Sequence, residues 1–154
     1  MEFNVLRGSS NICHIEVYPL LPVNGDAQPW KMIENSGQEV DSLEVWFSAV
    51  STRQQRQSER MVFVFNISET VQSKDVSWRF ASGGLMYCET EADYLDNISL
   101  ETTDNGKTLI ATFKCLTDTT ENFNFSFLAI YKENASGECR VLASADPGGS
   151  NGRR

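Results

Sequence analysis

The stretch Leu100 to Cys115, LETTDNGKTLIATFKC, decides the fold because it specifies a β-hairpin from its own residues. Asp104-Asn105-Gly106 supplies the turn, since Asn and Gly adopt positive φ at little cost. The residues that follow alternate between two faces, with Leu109, Ala111, Phe113 and Cys115 on one and Thr108, Ile110, Thr112 and Lys114 on the other. The sequence therefore predicts a sheet with one buried face.

Further strand patterns flank this hairpin. Residues 42–50 alternate in the same way, and residues 123–131 place Phe123, Phe125, Phe127, Ala129 and Tyr131 on one face. Met61–Ile67 has β-branched and aromatic residues on both faces, which predicts a central strand covered on both sides. About eight short strands separated by turn residues predict an all-β fold, an antiparallel two-layer β-sandwich of immunoglobulin-like layout with little or no helix.

The length of 154 residues fits one domain. We predict that residues 1–146 form a single β-sandwich domain. Residues 147–154, PGGSNGRR, contain no large apolar side chain, and this composition is typical of a flexible tail.

The net charge is −8 at pH 7, so phosphate backbones and anionic membranes are repelled on average. We therefore expect neither nucleic acid nor a membrane as a partner. The first 17 residues lack the apolar core of a signal peptide, and the longest apolar run, Met61–Phe65, is too short to span a bilayer. These patterns predict a cytoplasmic protein.

The four cysteines, Cys13, Cys88, Cys115 and Cys139, are scattered, and no pair has C-x-x-C spacing. We expect reduced and mostly buried thiols; two disulfides in an oxidising compartment are the alternative. The chain has no nucleotide-binding or zinc motif, so we predict no cofactor and no metal.

An acidic stretch follows Cys88. Glu89, Glu91, Asp93 and Asp96 resemble a calcium loop only loosely, because the ligand spacing and glycine of the EF-hand pattern are absent. A solvated acidic loop is the favoured interpretation.

The single histidine limits catalytic chemistry. His14 lies next to Cys13 on a predicted strand, where adjacent side chains point to opposite faces and cannot pair. A hydrolase with His14 as its base would need a nucleophile from elsewhere in the chain. We therefore predict that the protein is not an enzyme, and rank the hydrolase hypothesis last.

A basic cluster lies in the polar segment STRQQRQSER, residues 51–60. If this segment were helical, the spacing of Arg53, Arg56 and Arg60 would put all three on one side, where they could bind an acidic partner. A solvated, solubilising loop is the alternative interpretation.

Trp46 is the second candidate for binding. It lies on the face opposite Leu43, Val45 and Phe47, so it points outward if that set forms the core. An outward tryptophan can anchor a protein interface or stack on a sugar, whereas the alternative is that it packs beneath the polar segment.

The leading hypothesis is a small intracellular, non-enzymatic protein–protein interaction module, acting as a regulator or a component of an assembly. Its partner would be another protein or a second copy of the chain, bound through loops or sheet edges such as residues 2–7. The alternative is a lectin-like sandwich that binds carbohydrate through Trp46, Trp30 or Tyr18.

Overall fold

The computed structural model of the chain describes residues 1–87 and 97–154. Twelve strands and one short α-helix are found in these two ranges, besides two single 3-10 turns at Glu69–Val71 and Asp104–Gly106: β1 (Glu2–Val5), β2 (Ser10–Tyr18), β3 (Lys31–Glu34), β4 (Leu43–Phe47), α1 (Arg53–Ser58), β5 (Arg60–Ile67), β6 (Val76–Tyr87), β7 (Ile98–Thr103), β8 (Thr108–Phe113), β9 (Glu121–Phe123), β10 (Phe125–Glu133), β11 (Cys139–Ala143) and β12 (Gly149–Arg153). The prediction of a mostly β fold is confirmed.

Across the described residues the strands form three sheets, with strand orders β1-β4-β12-β9, β11-β10-β6 and β3-β2-β5-β8-β7. Three neighbouring pairs are parallel: β1 with β4, β4 with β12, and β2 with β5. The prediction of purely antiparallel sheets is therefore wrong, because distant segments are inserted beside β4 and β5 where local hairpins were expected. The immunoglobulin-like two-layer layout stays a prediction.

The hairpin between β7 and β8 forms as its residues predict. Asp104, Asn105 and Gly106 have φ of 53°, 54° and 83°, so all three turn residues occupy the left-handed region. On β8 the alternation places Leu109, Ala111 and Phe113 in the core. Thr112 and Ile110 lie half-buried on the opposite face.

A closed circuit of six phenylalanine rings joins the three sheets. Neighbouring ring centroids lie 5.1 to 5.9 Å apart, a range in which aromatic pairs attract beyond their burial alone. All six side chains are buried. In order around the circuit the rings are Phe63, Phe65, Phe127, Phe125, Phe123 and Phe113.

Strand β5 is central in its sheet, between β2 and β8, as predicted. Its second face is not covered, however. Phe63 and Phe65 are buried, whereas Val62, Val64 and Asn66 are only half-buried. The described residues therefore cover the outer face of the five-stranded sheet only in part.

The prediction of a flexible tail is wrong, since residues 149–153 form β12 between β4 and β9. Glycine is what allows this strand to pack so closely. A Cβ on Gly149 would overlap the Phe123 ring, and one on Gly152 would lie 2.6 Å from the Thr120 hydroxyl. The glycines, which as a composition are typical of disorder, are here required for the close packing of β12.

A buried ion pair holds β12 in place. The Arg153 guanidinium and the Glu59 carboxylate are 2.8 Å apart, with side-chain exposures of 1% and 0%. Arg153 also donates to the backbone carbonyls of Ser48 and Cys115. Glu59 accepts further hydrogen bonds from the Gly8 N–H at 2.8 Å and the Ser51 hydroxyl at 2.5 Å. Every charge in this cluster therefore has partners.

We expect Glu59→Gln to lower the free energy of unfolding by about 3–5 kcal/mol, because it leaves the buried Arg153 charge uncompensated. Urea denaturation measures this loss. The control is Glu69→Gln, which removes an exposed ion pair with Lys107 and should cost less than about 1 kcal/mol. Equal losses in the two variants would contradict the importance of the buried pair.

The same pair predicts how stability depends on pH. Burial opposes ionisation of Glu59, but hydrogen bonds from Gly8, Ser51 and Arg153 outweigh it and hold the pKa of this carboxyl below its ordinary value of 4.5. A lowered folded-state pKa gives stability that is present above pH 4.5 and is lost as the pH falls through the folded-state pKa. The difference in unfolding free energy between the wild type and Glu59→Gln should therefore shrink in acid, as urea titrations from pH 7 downward would show.

The turn at Gly106 gives a third prediction. A Cβ at this position would lie 2.9 Å from the Phe80 carbonyl oxygen, and φ is +83°. Gly37 has a similar φ of +89° but open space around it. We expect Gly37→Ala to cost about 1 kcal/mol of unfolding free energy from φ strain, and Gly106→Ala to cost roughly 1–3 kcal/mol more from the clash. Thermal denaturation of both variants compares the two costs.

Candidate functional site at the Trp46 groove

Trp46 lies on the outer face of the four-stranded sheet, where the alternation of β4 places it. Its neighbours Val45 and Phe47 are buried, whereas Trp46 itself is half-buried. The Arg154 guanidinium lies 4.8 Å from the centroid of the indole ring, a cation–π contact. In the described part of the chain the indole N–H is buried and has no acceptor.

A cleft of about 400 Å³ adjoins Trp46, and we call it the Trp46 groove. Its wall is formed by residues from the end of β1, from β4 and from beyond β12: Asn4, Val5, Leu6, Arg7, Trp46, Phe47, Ser48 and Arg154. Leu6 is 72% exposed at its rim. Val50, 74% exposed, follows Ala49, whose N–H donates to the Arg154 carbonyl. The groove therefore combines apolar side chains with arginines.

Helix α1 borders this end of the molecule and begins with a capping box. The Thr52 hydroxyl accepts from the Gln55 N–H, and the Gln55 side chain accepts from the Thr52 N–H. The same Gln55 side-chain oxygen accepts from Arg7 Nε at 3.0 Å. The helix start therefore fixes where Arg7 lies.

The structure does not bring Arg53, Arg56 and Arg60 to one surface. Arg56 lies inward, donating to the carbonyls of Ser51, Ala49 and Leu116 and pairing with Asp118 at 2.7 Å. Arg60 is the first residue of β5, on the outer face of another sheet. Arg53 alone projects from α1 as an exposed cation.

Two arginines near the groove lack an acidic partner. Within residues 1–87 and 97–154, neither Arg7 nor Arg53 forms an ion pair. Arg154, by contrast, pairs with Glu2 at 2.5 Å, and the hydrogen bond from Arg154 lowers the pKa of the Glu2 carboxyl. Arg7 lines the groove and donates its Nε to Gln55, so its other guanidinium N–H groups can bind a carboxylate there.

Sequence reasoning missed Leu6, Arg7, Val50 and Arg154. Val50 was expected inside a strand, but β4 ends at Phe47, so Val50 lies in the loop before α1. Arg154 was assigned to a tail. No local pattern marks these positions, because they meet only when β1, β4 and β12 are neighbours.

His14 lies on the exposed outer face of β2, beside a polar cleft of about 300 Å³. Glu16, Asn66 and Lys107 are among the residues that line this cleft. Among the described residues, no thiol or hydroxyl makes a hydrogen bond with the imidazole. Nothing in the described geometry therefore pairs His14 with a nucleophile.

The described cysteines, Cys13, Cys115 and Cys139, are free. Burial, with a contribution from Glu34, raises the pKa of the Cys13 thiol to about 11. Burial also raises the pKa of Cys115. Both thiols are therefore protonated at neutral pH and poor nucleophiles.

Some of the predicted features lie outside the described residues, namely Cys88 and the acidic positions Glu89, Glu91, Asp93 and Asp96. Elsewhere, in residues 1–87 and 97–154, no group of three or more His, Cys, Asp or Glu side chains is placed to hold a metal ion. Over those same ranges, no helix has the length and apolar character needed to cross a bilayer.

These features define a β-rich domain with a mixed apolar and basic groove on one outer face. The chain belongs to the DP-EP family, whose family model matches residues 14–153. This span includes Trp46, Glu59 and Arg153, whereas Leu6 and Arg7 precede it. A comparison with curated proteins found no match.

The thiols provide a fourth prediction. We expect Cys139 to react rapidly with iodoacetamide in the native protein, because it is exposed, and Cys13 and Cys115 to react only after unfolding. Peptide mapping by mass spectrometry resolves each position. Rapid native labelling of Cys13 would contradict its burial and its raised pKa.

Proposed function

We propose that this chain is a small, non-enzymatic protein-interaction module that binds a partner protein through the Trp46 groove. The partner segment would combine an apolar anchor with acidic side chains. One observation carries the proposal: exposed Leu6 and Arg7, which has no acidic partner among the described residues, line a groove that contains Trp46, and exposed Val50 follows Ala49, which is hydrogen-bonded to Arg154 at the same groove.

The apolar part of the groove would supply affinity. Burying apolar surface is worth about 25 cal/mol per Å², and interface hot spots are enriched in tryptophan and arginine. Leu6 and Val50 are among the most exposed large apolar side chains of the described chain. A partner side chain seated between them and Trp46 would remove this surface from water.

The charge of the groove would supply orientation. The whole chain repels acidic partners on average, but Arg7 and Arg53 create a local exception. Arginine binds carboxylates through two parallel hydrogen bonds, which fixes the direction of an acidic segment. Such binding should weaken as salt rises, because exposed charges are screened.

The candidate catalytic groups support a non-enzymatic role. In the described part of the chain no thiol or hydroxyl is hydrogen-bonded to the His14 imidazole, and the buried thiols Cys13 and Cys115 are protonated at neutral pH. Free thiols also favour a reducing compartment, which is the basis for proposing a cytoplasmic location.

The carbohydrate alternative receives less support from the three candidate aromatic residues. Arg154 lies over the Trp46 ring. Trp30 is buried and stacks against Phe127 in the core. The Tyr18 hydroxyl donates to Glu16 at 2.7 Å. Ring faces of Trp46 and Trp30 are therefore already in contact with other side chains, and the Tyr18 hydroxyl is already hydrogen-bonded.

Site-directed photo-crosslinking tests the location of the binding surface. We expect a benzoylphenylalanine in place of Val50 to give a discrete crosslinked partner in source cells. The matched control replaces Val141, a valine of similar exposure (63%) on β11 of another sheet. The same partner captured from both positions, or from Val141 alone, would contradict the groove.

Selection from a random peptide library tests the chemistry of the partner. We expect bound peptides to contain acidic and large apolar residues, and to lose about tenfold or more in affinity to Arg7→Glu/Arg53→Glu. Leu6→Asp should weaken binding as well. Arg140→Glu, an exposed arginine on β11, is the matched control and should bind as the wild type does. Undiminished binding to the double charge reversal would refute the proposal.

A further inference from the structure

A second recess lies on the outer face of the five-stranded sheet, where β5, β7 and β8 are neighbours. It has a volume of about 180 Å³ and is lined by Arg60, Asn97, Ser99, Thr112 and Lys114. We call it the anion pocket. It shares no residue with the Trp46 groove.

The sheet register explains why these side chains converge. Thr112 lies between Val62 and Ser99 on the neighbouring strands. One position further along, Met61 is opposite Phe113, so the next pair in that register is Arg60 and Lys114. The Lys114 N–H donates to the Asn97 carbonyl at 2.9 Å, which brings Asn97 into the same row.

Arg60 and Lys114 therefore place two positive charges on directly opposed positions, which is destabilising in an antiparallel pair. Among the described residues, no carboxylate lines the pocket and neither Arg60 nor Lys114 forms an ion pair. Glu121 lies nearby, where its oxygens accept from Asn97 Nδ2 at 3.1 and 3.2 Å. It neutralises neither cation through a direct contact.

The donors of the pocket match a tetrahedral oxyanion. Arg60 donates through one terminal nitrogen, Nη1, to the Glu59 carbonyl at 2.6 Å, which leaves Nε and Nη2 as further donors. Ser99 and Thr112, which carry hydroxyl groups, line the pocket with the two cations. Arginine and lysine together with hydroxyls are a donor set typical of phosphate binding.

We propose that the anion pocket binds one phosphate-type oxyanion, either free phosphate or the phosphate of a small monoester. The small volume supports this size, since pockets for whole organic ligands usually have roughly 300–1,000 Å³. The bound anion relieves the repulsion between Arg60 and Lys114. This function is separate from the partner binding proposed for the Trp46 groove.

Titration with inorganic phosphate tests the proposal. We expect saturable binding in calorimetry, and saturable shifts in the amide NMR signals of Ser99, Thr112 and Lys114. Arg60→Gln and Lys114→Gln should each weaken phosphate binding about tenfold or more. Lys132→Gln, an exposed lysine on β10, should leave it unchanged. Absence of saturable binding, or equal binding by all variants, would overturn the proposal.

Parallel titrations distinguish the source of the anion. Tighter binding of O-phosphoserine than of phosphate would support a monoester, and the reverse order would support the free ion. Acetate that binds as tightly as phosphate would overturn the selectivity for a tetrahedral group.

Thermal denaturation gives a further test, because loss of the Lys114 charge should raise Tm in the absence of phosphate and abolish the rise in Tm that phosphate causes. In a buffer containing only chloride, Lys114→Gln should raise Tm because the like-charge contact is gone. Phosphate should raise the Tm of the wild type and not that of Lys114→Gln. If a charge variant does not fold, Thr112→Val keeps the shape and both charges and should still weaken phosphate binding. A phosphate-induced rise in Tm that persists in every folded variant would contradict the site.

Discussion

The ion pair between Glu59 and Arg153 is the interaction on which the other contacts at this end of the molecule depend. Its hydrogen bonds reach the turn after β1, the loop before α1 and the segment after β8. A buried pair adds little net stability by itself, because desolvation opposes its attraction. The pair instead constrains the arrangement of the strands, because Arg153 reaches Glu59 only when β12 lies beside β4. Trp46 and Arg154 meet as a consequence.

The division between inward and outward side chains explains where binding surfaces remain. The circuit contains every phenylalanine of β5, β8, β9 and β10, so these rings all face the core. Adjacent residues then have opposite roles. Glu59 is buried in the ion pair, whereas Arg60 projects to the anion pocket. The outer faces of two different sheets thus carry the two proposed sites, and either can change without repacking the core.

Local sequence was sufficient where the structure is local. The hairpin from β7 to β8 forms because its turn residues and its alternation need no distant partner. Alternation also placed Phe125 and Phe127 in the core and Trp46 on the outer face of β4. The inward position of Arg56 depends on its ion pair with Asp118. The position of β12 depends on the contact between Arg153 and Glu59, which are 94 positions apart in the sequence. The alternation of residues within one segment carries no information about contacts between segments that are so far apart in the sequence.

The position of β12 also constrains how the chain acquires its structure during translation. β12 is made after the other described strands, yet it lies in the interior of its sheet between β4 and β9. β4 is therefore exposed along one edge until residues 149–153 leave the ribosome, and until then Glu59 lacks its ion pair with Arg153. Non-local pairing of this kind slows folding and leaves unpaired edges open to association. During this interval the unpaired edge of β4 is a place where nascent chains can associate with one another.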